Sequence, residues 1–266
     1  NLQSDDIENY SALSESKKAL IRTSDLMVIR DPYVILGLVI LAILVLIAVS
    51  KMPQSKGDGS IPSLSHTFNS LKKNKKYVFG VVAQIFYVGA QIMCWTYIYQ
   101  YAEAIGMDSE TAANFQIVAF ILFLVGRVIG TYLLRFISSG KLLLIYAFAA
   151  ILASLGTMFL VGEIGLYCLV TMSLCMSVMF PTIYGIALEN LEEEESKIGA
   201  AGLVMAIVGG ALMPGLQGKI IDIGGFGVND TQILGLSEVN FSFILPLICF
   251  VIIAFYGQMT NKHYQN

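Results

Sequence analysis

Four polar or aromatic residues, Gln84, Tyr87, Gln91 and Trp95, recur within the uncharged segment 77–102. Spacings of three, four and four residues place them on one face of an α-helix. Amides and a phenol exchange hydrogen bonds, and an indole ring can stack on the C–H face of a sugar. The combination suits a hydroxyl-rich ligand. The alternative is that these side chains join neighbouring helices through interhelical hydrogen bonds.

A second candidate face lies in segment 111–134, which is uncharged except for Arg127. The segment also holds the amides Asn114 and Gln116, and the helix-spaced set on one face is Gln116, Phe120, Phe123 and Arg127. An arginine within a bilayer costs about 2.5 to 3.5 kcal/mol on insertion scales. Two roles are open for Arg127: it contacts a ligand or the opposite side of a cavity, or it caps backbone carbonyls near the inner surface.

The sequence lacks the groups that several other chemistries require. The Asp and Glu residues all fall in loops, termini or segment boundaries, where we expect them to be in water. The two histidines, His66 and His263, lie in a linker and in the tail, and the four cysteines have no metal-ligand spacing. HExxH and GxSxG motifs are absent. The sequence therefore predicts no enzyme activity, metal site or cofactor, and the net charge of -3 argues against nucleic acid.

The elements that must position these residues follow from composition. Of 266 residues, 56% are hydrophobic and 13% are charged, with a mean hydropathy of +0.72, whereas soluble domains carry about 25% charge. Charges cluster between long apolar runs at 32–50, 77–102, 111–134, 142–162, 164–188, 198–218 and 239–261. Each run reaches the roughly 17 to 25 residues that a helix needs to cross a bilayer. We predict an all-α integral membrane protein with seven transmembrane helices.

Charge in the loops predicts the topology. Counting Lys and Arg on alternate sides gives ten against five, which places loop 51–77 and the carboxyl terminus in the cytoplasm. The predicted organisation is an extracytoplasmic loop segment 1–31, a helix 32–50, a cytoplasmic linker 51–77, a six-helix block 78–261 and a tail 262–266. One helix followed by six is what remains of a protein built from two six-helix halves when it is cut before its sixth helix. We therefore expect the chain to begin inside a longer protein.

Two further patterns concern helix shape. Pro181, within Met179-Phe180-Pro181-Thr182, predicts a kinked or broken helix. In segment 198–218 small residues recur at Gly202, Ala206, Gly210 and Gly218, with Pro214 between them. Such a stripe is typical of close helix packing.

Several motifs carry a resemblance to a known family. They are Tyr87-Val88-Gly89-Ala90-Gln91, Cys94-Trp95, Ala112-Ala113-Asn114, Gly126-Arg127 with Gly130-Thr131, Pro181-Thr182-Ile183 and Gly209-Gly210. In this order and spacing they resemble the carboxyl-terminal half of the L-fucose:proton symporters of the major facilitator superfamily. The segment from Asp31-Pro32-Tyr33 to Lys51-Met52-Pro53 is similar to the sixth helix of that family.

The resemblance implies a twelve-helix transporter that moves a hexose inward with a proton by rocking two halves about a central site. In the family, carboxylates of the first half carry the proton, and the second half supplies aromatic and amide contacts and a functional arginine. The matching positions here are Gln91, Trp95, Phe123 and Arg127. The implied location is the bacterial inner membrane, and the implied partners are the sugar, a proton, the bilayer and the missing amino-terminal half.

The full set of expected substrate-binding residues is Gln84, Tyr87, Gln91, Trp95, Asn114, Phe123 and Arg127. Within the group, Ala-Gln followed by Cys-Trp favours L-fucose over glucose/galactose or N-acetylhexosamine permeases. A non-transporting membrane scaffold is the alternative from another class. A seven-helix receptor is disfavoured because its Asp-Arg-Tyr and Asn-Pro-x-x-Tyr motifs are absent.

Overall fold

The computed structural model describes residues 14–50, 64–225 and 231–263 of the chain. It divides the chain into two compact units, Asn1–Ser60 and Ile61–Asn266. The described part of the first unit is helix α1, Glu15–Val49. The second unit contains the remaining elements, listed here in chain order: α2 Leu64–Lys73, α3 Lys75–Thr96, α4 Ile98–Ala104, α5 Ser109–Leu133, α6 Ser139–Phe159, α7 Glu163–Met176, α8 Met179–Leu188, α9 Glu193–Met205, a 3-10 turn Ala206–Val208, α10 Gly209–Ile221, β1 Gln232–Ile233, β2 Leu236–Ser237, α11 Glu238–Ser242 and α12 Ile244–His263.

The predicted all-α membrane fold is confirmed. Seven stretches of the described residues are long and apolar enough to cross a membrane: Arg30–Val49, Lys75–Thr96, Ser109–Leu133, Ser139–Phe159, Glu163–Leu188, Glu193–Ile221 and Glu238–Asn261. The one small sheet in the described part of the chain is the antiparallel hairpin of β1 and β2, in the loop before the last span.

Two segments predicted as loops contain helix. Residues 15–31, expected to be an extracytoplasmic loop, are the first half of α1, in keeping with the helix-favouring Lys, Ala and Leu residues there. The predicted linker 51–77 contains α2, and its residues 51–63 lie outside the described residues. After α2 the Asn74 side chain accepts a hydrogen bond from the Tyr77 backbone N–H at 3.1 Å. This N-cap fixes the start of α3.

The core of the second unit forms around α3 and α7. Helix α3 packs against α8, α10 and α12, and α7 packs against α5 and α6. Polar groups within this core bond to one another: the Asn240 side-chain amide donates to the Thr157 carbonyl at 2.9 Å and to the Tyr101 hydroxyl at 3.1 Å. These bonds connect α11, α6 and α4 at the end of the bundle nearest the hairpin. They also satisfy the amide hydrogens of Asn240.

The predicted packing role of the small-residue stripe is confirmed. A Cβ at Gly210 would meet the side chains of Val88 and Ile92 at 3.0 Å, and one at Gly218 would meet the Tyr97 hydroxyl at 2.8 Å. The closest approach is at Gly209, where an added Cβ would overlap the Ile85 carbonyl. Glycine therefore lets the backbones of α10 and α3 meet directly.

We expect Gly209→Ala to lower the stability of the folded chain by about 1 to 3 kcal/mol, the range for overpacked cores. The added methyl group meets backbone, which cannot rotate away. The control is Gly215→Ala on the same helix, where nothing lies within 4 Å of the new Cβ. Thermal unfolding of the detergent-solubilised chain should show a midpoint several degrees lower for the first variant and unchanged or slightly higher for the second. Equal midpoints would contradict the close-packing interpretation.

Candidate functional site

The structure divides the predicted stripe on α3 into a buried and an accessible part. Gln84 and Tyr87 are 0% exposed, whereas Gln91 and Trp95 are half-buried. The Tyr87 hydroxyl donates to the Met176 carbonyl at 3.0 Å. The Gln84 amide has no hydrogen-bond partner among the described residues. The expectation that all four residues face one ligand cavity is therefore wrong for Gln84 and Tyr87, because the helices of the second unit enclose both side chains.

Trp95 is held in a defined orientation. Its indole N–H donates to the Ser173 hydroxyl of α7 at 3.2 Å. Two rings of α5 approach it edge-on, Phe120 with a centroid separation of 5.0 Å and Phe123 at 5.1 Å. Edge-to-face contacts of this kind stabilise aromatic pairs. One partly accessible indole is thereby fixed between α5 and α7 before any ligand binds.

Arg127 joins this cluster from the next turn of α5. Its Nε–H donates to the Ser177 carbonyl at 3.2 Å, and its guanidinium lies 5.4 Å from the centroid of Phe123. The close approach depends on Gly126, where a Cβ would stand 2.7 Å from the Leu174 carbonyl. Of the two roles that the sequence left open, this geometry favours the capping of a backbone carbonyl.

The predicted interruption at Pro181 is confirmed and lies just before the proline. Helix α7 ends at Met176 and α8 begins at Met179 within a single span. The carbonyls of Met176 and Ser177, at the interruption, are the groups that accept hydrogen bonds from Tyr87 and Arg127. Two residues selected from the sequence as ligand contacts therefore bond to the broken helix.

The remaining predicted site residues are placed differently from one another. Phe123 lies in the aromatic cluster, between Trp95 and Arg127. Asn114 is exposed near the start of α5. It precedes Phe123 by nine residues, or about 14 Å along the helix axis. The structure therefore brings together Trp95, Phe123 and Arg127, and it leaves Asn114 apart from them.

Two residues of the site, and one buried carboxylate elsewhere in the second unit, were missed. Ser173 and Ser177 supply a hydroxyl and a carbonyl to Trp95 and Arg127, and two serines inside an apolar segment were the signal that could have marked them. Glu238 was expected in water at a segment boundary, but it is 0% exposed. It is the one fully buried carboxylate among the side chains that the structure describes. Within those same residues no group of His, Cys, Asp and Glu could hold a metal ion.

Most of the chain matches a known protein family. The family model described as Major Facilitator Superfamily matches residues 28–214. The chain belongs to the Major Facilitator Superfamily. The L-fucose-proton symporter of Haemophilus influenzae is 51% identical over 250 residues, which cover 93% of this chain and 56% of that relative. A glucose/galactose transporter of Brucella abortus is 31% identical over 238 residues, with coverage of 88% and 54%.

The fold agrees with a solved major facilitator structure. The crystal structure of the Escherichia coli fucose:proton symporter superposes with a TM-score of 0.80 at 28% identity, covering 98% of this chain and 61% of that one. The resemblance noted in the sequence is thus confirmed. The chain spans a little over half the length of the relatives that it matches, as expected for the carboxyl-terminal portion of a two-half transporter.

Proposed function

We propose that this chain is the carboxyl-terminal portion of a secondary transporter that carries L-fucose inward with a proton. The observation that supports the proposal best is the 51% identity, over 93% of the chain, to a protein named as an L-fucose-proton symporter. The runner-up substrates are glucose and galactose, favoured by the relative at 31% identity. We do not assign an enzymatic role, because the named relatives are transporters and symporters.

In this proposal the sugar contacts of the second unit centre on Trp95. The indole is partly accessible and fixed by Ser173, Phe120 and Phe123, so it offers a flat apolar surface to the C–H face of a sugar. Gln91, one turn earlier and half-buried, supplies an amide for sugar hydroxyls. Asn114, exposed near the start of α5, is proposed to contact either the ligand or the amino-terminal half of the transporter.

The membrane arrangement is also part of the proposal. Alternating access would arise from rocking of the six-helix block against an amino-terminal half that supplies the hydroxyl-binding and proton-carrying groups. The excess of Lys and Arg in loop 51–77 supports a cytoplasmic position for that loop and for the carboxyl terminus. The membrane would be the bacterial inner membrane.

Sugar selectivity tests the proposal directly. The full-length transporter that contains this chain is reconstituted in liposomes, and uptake of labelled L-fucose is measured with a tenfold excess of unlabelled L-fucose, D-glucose, D-galactose or N-acetylglucosamine. We expect L-fucose to compete and the other three to compete weakly. Uptake that D-glucose or D-galactose suppresses more strongly than L-fucose would support the runner-up, and absence of uptake would support the scaffold alternative.

Proton coupling is predicted to reside outside this chain, and Glu238 is the residue that tests this prediction. Although it is fully buried, it is the first residue of the last candidate span, whereas coupling sites lie near the bilayer midplane. We expect Glu238→Gln in the full-length transporter to retain sugar accumulation driven by a pH gradient, even if maximal uptake falls. Accumulation is compared at several outside pH values, with the exposed Glu163→Gln as the control.

The outcome that would contradict this prediction is a variant that keeps sugar exchange but loses sugar accumulation. A variant that still exchanges labelled for unlabelled sugar, but no longer accumulates sugar against a gradient, has lost proton coupling without losing the sugar site. That behaviour in Glu238→Gln, with Glu163→Gln normal, would place a coupling carboxylate in this half of the transporter.

A further inference from the structure

The interruption between α7 and α8 leaves one backbone carbonyl without its helical partner. In an α-helix the carbonyl of residue 177 accepts the N–H of residue 181, and that residue is Pro181, which has no N–H. Ser177 and Val178 nevertheless keep right-handed helical backbone angles, with φ of -54° and -102°. The chain therefore continues as an interrupted helix whose defect is the missing donor.

Side chains of two other helices cover the carbonyls at this defect. Arg127 of α5 donates its Nε–H to the Ser177 carbonyl at 3.2 Å, and Tyr87 of α3 donates its hydroxyl to the Met176 carbonyl at 3.0 Å. A carbonyl without a donor is costly in an apolar interior, because neither water nor lipid replaces the bond. Arg127 thus supplies the donor that Pro181 removes, and the two bonds together connect this interruption to α5 and α3.

The same arginine is connected to the proposed sugar surface through one ring. Its guanidinium lies 5.4 Å from the centroid of Phe123, which meets the ring of Trp95 edge-on at 5.1 Å. Trp95 in turn donates a hydrogen bond to Ser173 of α7, which lies four residues before Ser177. Arg127, Phe123, Trp95 and α7 therefore form a closed ring of contacts.

We propose that Arg127 is a positioning residue, which acts on sugar binding by capping the carbonyl that Pro181 leaves without a donor, and so holds the broken helix and Trp95 in register. It does not need to touch the sugar. The cap by Arg127 is needed because residue 181 is a proline, so an N–H restored at residue 181 should make the cap dispensable. This relation separates the proposal from a direct sugar contact, for which the identity of residue 181 is irrelevant.

The test is a double-mutant cycle in the full-length transporter, and its uptake arm depends on the proposed function. Arg127→Met removes every donor while keeping an unbranched side chain, and we expect it to raise the KM for L-fucose about tenfold. In a Pro181→Ala background, where we expect the new N–H to donate to the Ser177 carbonyl as in a regular helix, the same change should raise KM less than twofold. Pro181→Ser supplies the same N–H if the alanine variant does not fold, and Arg127→Leu, which also lacks a donor, replaces Arg127→Met if the methionine variant does not fold.

A matched control and a second readout make the cycle decisive. Pro214→Ala restores an N–H at a proline of α10, a helix that, within the described residues, makes no hydrogen bond to Arg127, so Arg127→Met should keep its full tenfold effect there. Thermal unfolding without sugar should show the same pattern, with the midpoint lowered by Arg127→Met except beside Pro181→Ala. An equal effect of Arg127→Met in all backgrounds would overturn the proposal. A cycle seen in unfolding without any sugar uptake would support the cap and refute the proposed substrate instead.

Discussion

Replacing Trp95 with alanine in the full-length transporter is expected to raise the KM for L-fucose about tenfold. The indole is the one tryptophan of the chain, and it is partly accessible while two rings and the Ser173 hydroxyl fix its orientation. Loss of an apolar contact surface worth about 1.5 kcal/mol corresponds to a tenfold loss of affinity. Initial rates of labelled sugar uptake, measured over a range of concentrations at matched expression, give the KM.

Two further variants separate the stacking surface from the support beneath it. Trp95→Phe keeps a ring but loses the indole N–H, so we expect a smaller increase in KM. Phe255→Ala is the matched aromatic control, because Phe255 is exposed and pairs with Phe79, away from the cluster. An unchanged KM in Trp95→Ala, with protein of normal thermal stability, would rule out a stacking role for the indole.

Transport is expected to require more than this chain. Expressed alone, residues 1–266 should give no uptake of L-fucose above the background of empty liposomes, because half of a two-half site has no opposite wall. A chimera that joins the chain to the part of the Haemophilus influenzae relative that it does not match should restore uptake. At 51% identity we expect the substituted half to pack against the same partner surface.

The controls for the chimera are the two parts expressed separately and a chimera carrying Trp95→Ala. Saturable uptake by residues 1–266 alone would show that one half suffices, contrary to this expectation. A chimera that reaches the membrane in folded form and remains inactive would favour the scaffold interpretation of the chain.

Periodicity and composition predicted most of the fold, because the bilayer makes span length and uncharged runs direct physical requirements. The same reasoning found the faces that carry Trp95 and Arg127. It could not predict how deeply each side chain on those faces is buried. Gln84 and Tyr87 share a face with Trp95, yet other helices of the unit enclose them, and the position of neighbouring helices is a tertiary property that helical spacing does not encode.

The sequence also did not predict which groups the selected side chains contact. Pro181 predicted a break, but the donor that compensates for it, on α5, lies 50 residues before the Ser177 carbonyl that it caps. Nothing in the local pattern relates Arg127 to Ser177, because the contact exists only when α5 and α7 approach at Gly126. Glu238 was misplaced for a similar reason, since a residue at a segment boundary can still be covered by neighbouring elements.

We propose that this chain belongs to a transporter that moves L-fucose together with a proton. The most direct measurement is the pH of a weakly buffered, energy-depleted suspension of cells that contain the full-length transporter, recorded as L-fucose is added. Inward movement of sugar with protons predicts an immediate alkaline shift that a protonophore abolishes and that equal concentrations of D-glucose or D-galactose do not produce. Labelled L-fucose entering the same cells with no alkaline shift would contradict the claim.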